Sequence, residues 1–224
     1  LVPPAGQADY PLAKWGLLVA LLGTITLFTG TMQALKQEQS KRLLAFHSIG
    51  QIGYILLGTG ACMALLPVAG PNARALATIG LFGALFHVLN HGLFKGLLFL
   101  NAGSMLHATG TQDLNKMGGL MKFMPLTAIT TIVASFSISG VPLFNGFVSK
   151  WSIYVATIQG SGSAKYLAVC AVIAILTSAL TLAIVGRTLF GTDVESLSDE
   201  VRHALKEASD SLDPLISLLA PMRR

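Results

Sequence analysis

Residues 85–106 read LFHVLNHGLFKGLLFLNAGSML. A run this apolar is a membrane-helix signal, yet it holds His87, His91 and Lys95 at intervals of four. In an α-helix four residues turn through roughly 400° and rise about 6 Å, so these side chains form one stripe about 12 Å tall. Asn90 and Asn101 place further polar atoms nearby. A lysine at the centre of a membrane helix costs roughly 2.5–3.5 kcal/mol. For Lys95 alone, snorkelling towards an interface is the rival reading; three polar residues in register point instead to function.

The whole chain shares this character. Of 224 residues, 53% are hydrophobic and 11% charged, and the mean hydropathy is +0.67. A soluble domain carries about 25% charged residues. Composition and run length predict an all-α integral membrane protein of about six transmembrane helices, one broken at Pro142, followed by a C-terminal amphipathic helix. The spans read as 15–35, 43–66, 75–106, 124–141, 142–160 and 166–190, between an N-terminal loop (1–14) and a tail (192–224). "KQEQSKR" (36–42), "PVAGPNAR" (67–74) and "GSGSAK" (160–165) are polar or Pro/Gly-rich connections. In the tail, Leu197, Val201, Leu205, Ala208 and Leu212 recur at helical spacing, as in a helix lying on a membrane or a partner. Lys116, Lys122 and the bases of "KQEQSKR" share one side and favour it as cytoplasmic.

The net charge of +5 reflects segregation. All ten acidic residues lie outside the apolar runs: Asp9, Glu38, Asp113 and seven from Asp193 onward. The excess base is therefore read as topology and site chemistry, with the lipid bilayer as a partner and no nucleic acid. Cys62 and Cys170 fall within apolar runs and suit buried packing. Metal spacings, phosphate loops and nucleophile motifs are lacking, so no catalytic centre, metal or cofactor is expected in this chain.

Lys150 is the second base in an apolar setting, shortly after "PLFNGF", which gathers Pro142, Asn145 and Gly146. Proline removes a backbone donor and breaks a helix. Within a membrane, such a break is tolerated where it lines a cavity or meets protein, and discontinuous helices often mark transport sites. Freed carbonyls at the break can accept the protons of Lys150. His47, with Gln51 one turn on, offers a secondary polar face, and Lys14 stands at the mouth of the first span. Histidine suits proton relay because its unperturbed pKa is about 6.5. With no acid in any span, either the lysines are neutral at rest or a carboxylate comes from another segment or subunit.

"SKRLLAFHSIGQIGYILLG", the opening run, "TGTQDLNKMGGLMKFMP" and "SGVPLFNGFVSKW" together resemble the proton-translocating antiporter-like family. That family comprises the large membrane subunits of complex I, the Mrp antiporters and the membrane subunits of energy-converting hydrogenases. "LNHGLFKGLLFL" and "ATGTQDLNKMGGL" most resemble the hydrogenase-4 and formate hydrogenlyase type. The resemblance covers residues from about 12 to 191 and implies five-helix units, each with a broken helix, whose second unit falls on the second to sixth spans. It places the family's buried lysine on Lys95, its histidines on His91 and His87, and its terminal base on Lys150. Lys14 lies near the family's base in the first span. Phe46, His47 and Ser48 stand where the family usually reads Tyr-Ser-Ser. The family's first unit, which carries its glutamate and lysine pair, is absent.

The resemblance implies a proton-translocating subunit of a membrane redox complex. Its partners would be other membrane subunits of a respiratory or hydrogenase complex, and Fe–S/NiFe or flavin centres are expected only in partner subunits. The membrane would be the prokaryotic cytoplasmic (inner) membrane. The rival readings are an Mrp-type sodium/proton antiporter component, a non-conducting scaffold or fragment, and a haem anchor ligated by His47 and His91.

Overall fold

The structure is a computed structural model and describes residues 11–117, 119–162 and 165–190, with side chains as far as 182. The tail with its expected amphipathic helix, residues 1–10 and the Arg187 side chain lie outside the described residues. Seven α-helices follow in chain order: α1 (Leu12–Leu35), α2 (Ser40–Leu65), α3 (Pro71–Thr109), the short α4 (Leu120–Phe123), α5 (Pro125–Ser139), α6 (Asn145–Gly160) and α7 (Tyr166–Phe190). The expected all-α architecture is borne out.

Helix ends follow the local chemistry. The Trp15 amide donates to the Pro11 carbonyl at 3.1 Å, so the helix begins at Leu12 and takes in Lys14, earlier than the charge of Lys14 suggested. α3 opens on Pro71 and closes on Gly110, whose φ of 71° suits a residue without Cβ. At 39 residues α3 is about 58 Å long, well beyond a hydrocarbon core of roughly 30 Å. It must tilt or extend past the interface.

α1, α2 and α3 are each long and apolar enough to cross a membrane. α5 has 15 residues and rises only about 22 Å before the chain turns. The break does not begin at Pro142. The helix stops at Ser139, Gly140 takes the left-handed conformation (φ 78°), and Pro142 sits within the turn that leads to Asn145. Glycine ends the helix first because it reaches this conformation without a Cβ clash.

Packing between α1 and α2 is the tightest in the bundle. Apolar burial drives helices together weakly in lipid, so close backbone approach matters more. Gly16, Gly23 and Gly30 recur every seven residues on one face of α1 and abut Ala64, Gly53 and Gly50 of α2. At the loop end, Ser40 N donates to Gln112 O at 2.9 Å and Leu114 N to Glu38 O at 2.8 Å. These bonds tie the connection before α2 to the one after α3, placing "KQEQSKR" and Lys116 at the same end. The outer faces present Leu21, Leu22, Phe82, Leu85, Leu89 and Leu93, all exposed. Such belts suit lipid contact. Inside, one apolar cluster gathers Tyr54, Leu57, Ile153 and Leu167, and another Leu43, Leu44, Phe94, Leu98 and Ile138.

A Cβ added at Gly23 would lie 2.7 Å from Leu57 N and 2.8 Å from Gly53 O, whereas one at Gly92 would meet nothing within 4 Å. Gly23→Val is expected to destabilise the α1–α2 pair by about 3 kcal/mol or more, since backbone atoms must move. Gly92→Ala should stay within about 0.5 kcal/mol. Thermal unfolding of the purified protein in detergent compares the two.

Candidate functional site

The end of α5 sets the site's geometry. The last four carbonyls of any helix lack partners within it, and in lipid no water replaces them. Phe136 O accepts from Val141 N at 3.1 Å and Ser137 O from Gly140 N at 3.0 Å. Ile138 O accepts from Lys150 Nζ at 2.8 Å, and Ser139 O from Ser178 Oγ at 2.8 Å. Lys150 and Ser178 thus complete the C-terminal cap of α5. The negative end of the helix dipole faces the Lys150 ammonium, an arrangement that favours the cation.

Lys150 is 1% exposed. Its Nζ also donates to Ser178 Oγ at 3.1 Å and lies 4.5 Å from the centroid of the Tyr54 ring. A desolvated cation–π contact contributes about 2 kcal/mol. The acids among the described residues are Glu38 and Asp113, both in the loops at one end, and Asp113 lies 3.8 Å from Lys116. The groups that hold the Lys150 head are therefore neutral.

A line of hydrogen bonds runs across the bundle beside this seat. Thr181 Oγ1 meets His47 Nε2 at 3.3 Å, and Gln51 Nε2 meets the same nitrogen at 3.3 Å. Gln51 Oε1 lies 3.2 Å from His87 Nε2, and His87 Nδ1 lies 2.9 Å from Ser149 Oγ. Asn90 Nδ2 donates to Ser149 Oγ at 3.3 Å, and Asn145 Nδ2 donates to Asn90 Oδ1 at 2.9 Å. Ser137 Oγ closes the line by donating to Asn145 Oδ1. Residues from α7, α2, α3, α6 and α5 thus meet in one path.

The Gln51 amide sits between the two imidazoles, its oxygen against His87 Nε2 and its nitrogen against His47 Nε2. The Ser149 hydroxyl also donates to Gly146 O at 3.0 Å and the Thr181 hydroxyl to Thr177 O at 3.1 Å, so backbone carbonyls anchor both hydroxyls.

Lys95 occupies a second position. It is 6% exposed, and its Nζ donates to Leu44 O at 2.9 Å. Ser48 Oγ shares that carbonyl at 2.9 Å. Leu44 is one turn inside the start of α2, so the Lys95 head sits towards the loop end of the bundle. His91 is half-buried between the Lys95 and His87 levels, and its buried Nε2 has no hydrogen-bond partner among the described residues. The stripe read along α3 is therefore not bonded along its own length. His87 bonds sideways to α2 and α6, and Lys95 to α2.

The structure thus gathers His87, His47, Gln51, Asn90, Asn145 and Lys150 about the break, with Gly146 packed against Ser137. A Cβ at Gly146 would overlap the Ser137 carbonyl. Lys14 is exposed in the first turn of α1, away from this cluster. Tyr54, Ser149, Ser178 and Thr181 escaped the sequence reading. Tyr54 lies three residues after Gln51 and Ser149 four after Asn145, so helical spacing offered a signal for both. Ser178 and Thr181 sit in an ordinary apolar helix and carried none. Among the described residues no cluster of three or more His, Cys, Asp or Glu could hold a metal ion.

A family described as "NADH:quinone oxidoreductase/Mrp antiporter, TM" matches residues 10–181. The chain belongs to this family. Hydrogenase-4 component B of Escherichia coli (strain K12) is 45% identical over 145 residues, covering 65% of this chain and 21% of that protein. Formate hydrogenlyase subunit 3 of the same organism is 42% identical over 154 residues, covering 69% of this chain and 25% of that one. The fold is similar to a chain of the membrane-bound sulfane sulfur reductase, an archaeal respiratory membrane complex. The TM-score is 0.65 at 33% identity, covering 79% of this chain and 26% of that chain. The chain thus spans about a quarter or less of the curated relatives it matches, 21% and 25%. The resemblance read from the motifs is borne out at the level of the family, which is one of integral membrane proteins.

Asn145 joins α6 to α3 and α5 through its side-chain amide. Asn145→Ala should lower stability by about 1–3 kcal/mol, because buried partners lose their bonds. Asn145→Ser should recover part of that loss. Melting temperatures of the purified protein in detergent measure both.

Proposed function

We propose that this chain is the proton-translocating part of an antiporter-like subunit in a membrane redox complex. Lys95 and Lys150 hold and release protons, and His87 and His91 bridge between them with water. His47, Gln51 and Asn90 extend the path. One observation carries the reading: a hydrogen-bonded line through His47, Gln51, His87 and Ser149 runs beside the buried Lys150 at a helix break. The imidazoles take up and release the protons and water carries them between, while the Gln51 amide, which donates only through nitrogen and accepts only through oxygen, orients the two rings.

Moving one charge through 100 mV requires about 2.3 kcal/mol. Partner subunits bearing Fe–S/NiFe or flavin centres are the proposed source, and the relatives named for hydrogenase-4 and formate hydrogenlyase support such partners. The proposed location is the prokaryotic cytoplasmic membrane. Lys95→Ala and Lys150→Ala, each in the intact complex, should lower proton translocation in vesicles by at least tenfold. Gln51→Leu should slow it by about tenfold, equal to ~1.4 kcal/mol in the barrier. Wild-type translocation in both lysine variants would sink the proposal.

The family description also covers Mrp antiporters, which keeps sodium/proton exchange as a second reading. Sodium favours oxygen ligands, preferably carboxylates, and the described spans hold none. Translocation should therefore proceed unchanged when sodium is replaced by choline. A strict sodium requirement would reverse the ranking.

A further inference from the structure

Lys150 raises a problem of charge. A buried ammonium normally requires a paired anion, and the described groups around this one are neutral. Three of them touch it: the Ile138 carbonyl at 2.8 Å, the Ser178 hydroxyl at 3.1 Å and the Tyr54 ring, with its centroid 4.5 Å away. The carbonyl belongs to the cap of α5. The Ser178 hydroxyl has one hydrogen, committed to Ser139 O at 2.8 Å, so a lone pair faces Nζ. The ring supplies the negative face of its quadrupole.

Tyr54 is built to stay there. It is fully buried, and its hydroxyl donates to Ala174 O of α7 at 2.8 Å. The rings of His87 and Tyr154 lie 5.7 Å and 6.4 Å from its own. The hydroxyl bond to α7 fixes the ring face beside the Lys150 head. The same ring touches the Lys150 head and the His87 imidazole, so it borders both the cation and the hydrogen-bonded line.

We propose that Tyr54 is a positioning residue for proton translocation. Its ring face, together with Ser178, forms a neutral seat that holds the Lys150 ammonium where a carboxylate would otherwise be needed. This rests on the reading of Lys150 as a proton carrier. The seat lets the proton arrive at and leave a group that no fixed anion grips, and it keeps the amine aimed at the end of α5 in both states.

The test places phenylalanine and 3,4,5-trifluorophenylalanine at position 54 of the full chain within its membrane complex. The two residues share nearly the same shape, but fluorine removes the negative potential of the ring face. Both forms lose the hydroxyl bond to Ala174 O, so Tyr54→Phe is the reference, and the fluorinated ring should lower the rate at least threefold below Tyr54→Phe at equal assembly. Ser178→Ala should lose at least threefold, and Ser178→Thr, which keeps the hydroxyl, should recover part of that loss. Equal rates for the two phenylalanine forms, or a Tyr54→Phe loss as large as that of Tyr54→Leu, would overturn the seat. Lys150→Ala separates the two ideas. Normal translocation there removes the proton-carrier reading itself, whereas loss there with equal phenylalanine forms removes only the role of Tyr54.

Discussion

The four carbonyls at the end of α5 constrain everything around them. A helix that stops in lipid leaves acceptors that water cannot reach, and each orphan costs several kcal/mol. Two are met by the backbone of the turn, one by Lys150 and one by Ser178. To deliver those side chains, α6 must start beside the end of α5, and α7 must pack against both. The polar residues at the break thus satisfy backbone first, and their chemistry is built on that duty.

This explains how a lysine can be buried here without an acid. Partial charges on carbonyls at a helix end, a hydroxyl lone pair and an aromatic face each contribute modestly, and low local dielectric strengthens all three. These groups offset part of the cost of burying a cation without gripping it as a carboxylate at salt-bridge distance would. The line through Gln51 has a similar balance. Neutral hydroxyls, amides and imidazoles make it up, and water is needed to carry a proton past the amide, whose donor and acceptor atoms cannot exchange roles.

Much of the bundle was legible from residue order. The apolar runs gave the helices, and Pro, Gly and charge gave most of their ends. The break was visible in "SGVPLFNGF", although Gly140 rather than Pro142 ends the helix, because the left-handed turn precedes the proline. The buried bases were legible because a charge in an apolar run is conspicuous. Partners were not. The four-residue rhythm of His87, His91 and Lys95 suggested contact along α3, yet residues one turn apart on a helix need not bond when neighbouring helices offer better acceptors. His87 found Gln51 and Ser149, and Lys95 found Leu44 O.

The sequence by itself determined that this chain lies in a membrane, where its helices run, and that bases without acids sit among them. These are local or compositional properties, written in hydropathy and in residue type. Only the tertiary structure decided which neutral groups surround the Lys150 head and which partners the histidines find. Those outcomes depend on distances between segments far apart in the chain, such as Lys150 to Tyr54 and His47 to Thr181. Such distances are fixed by glycine-mediated packing of α1 on α2 and by the capping of α5, not by spacing along any one helix.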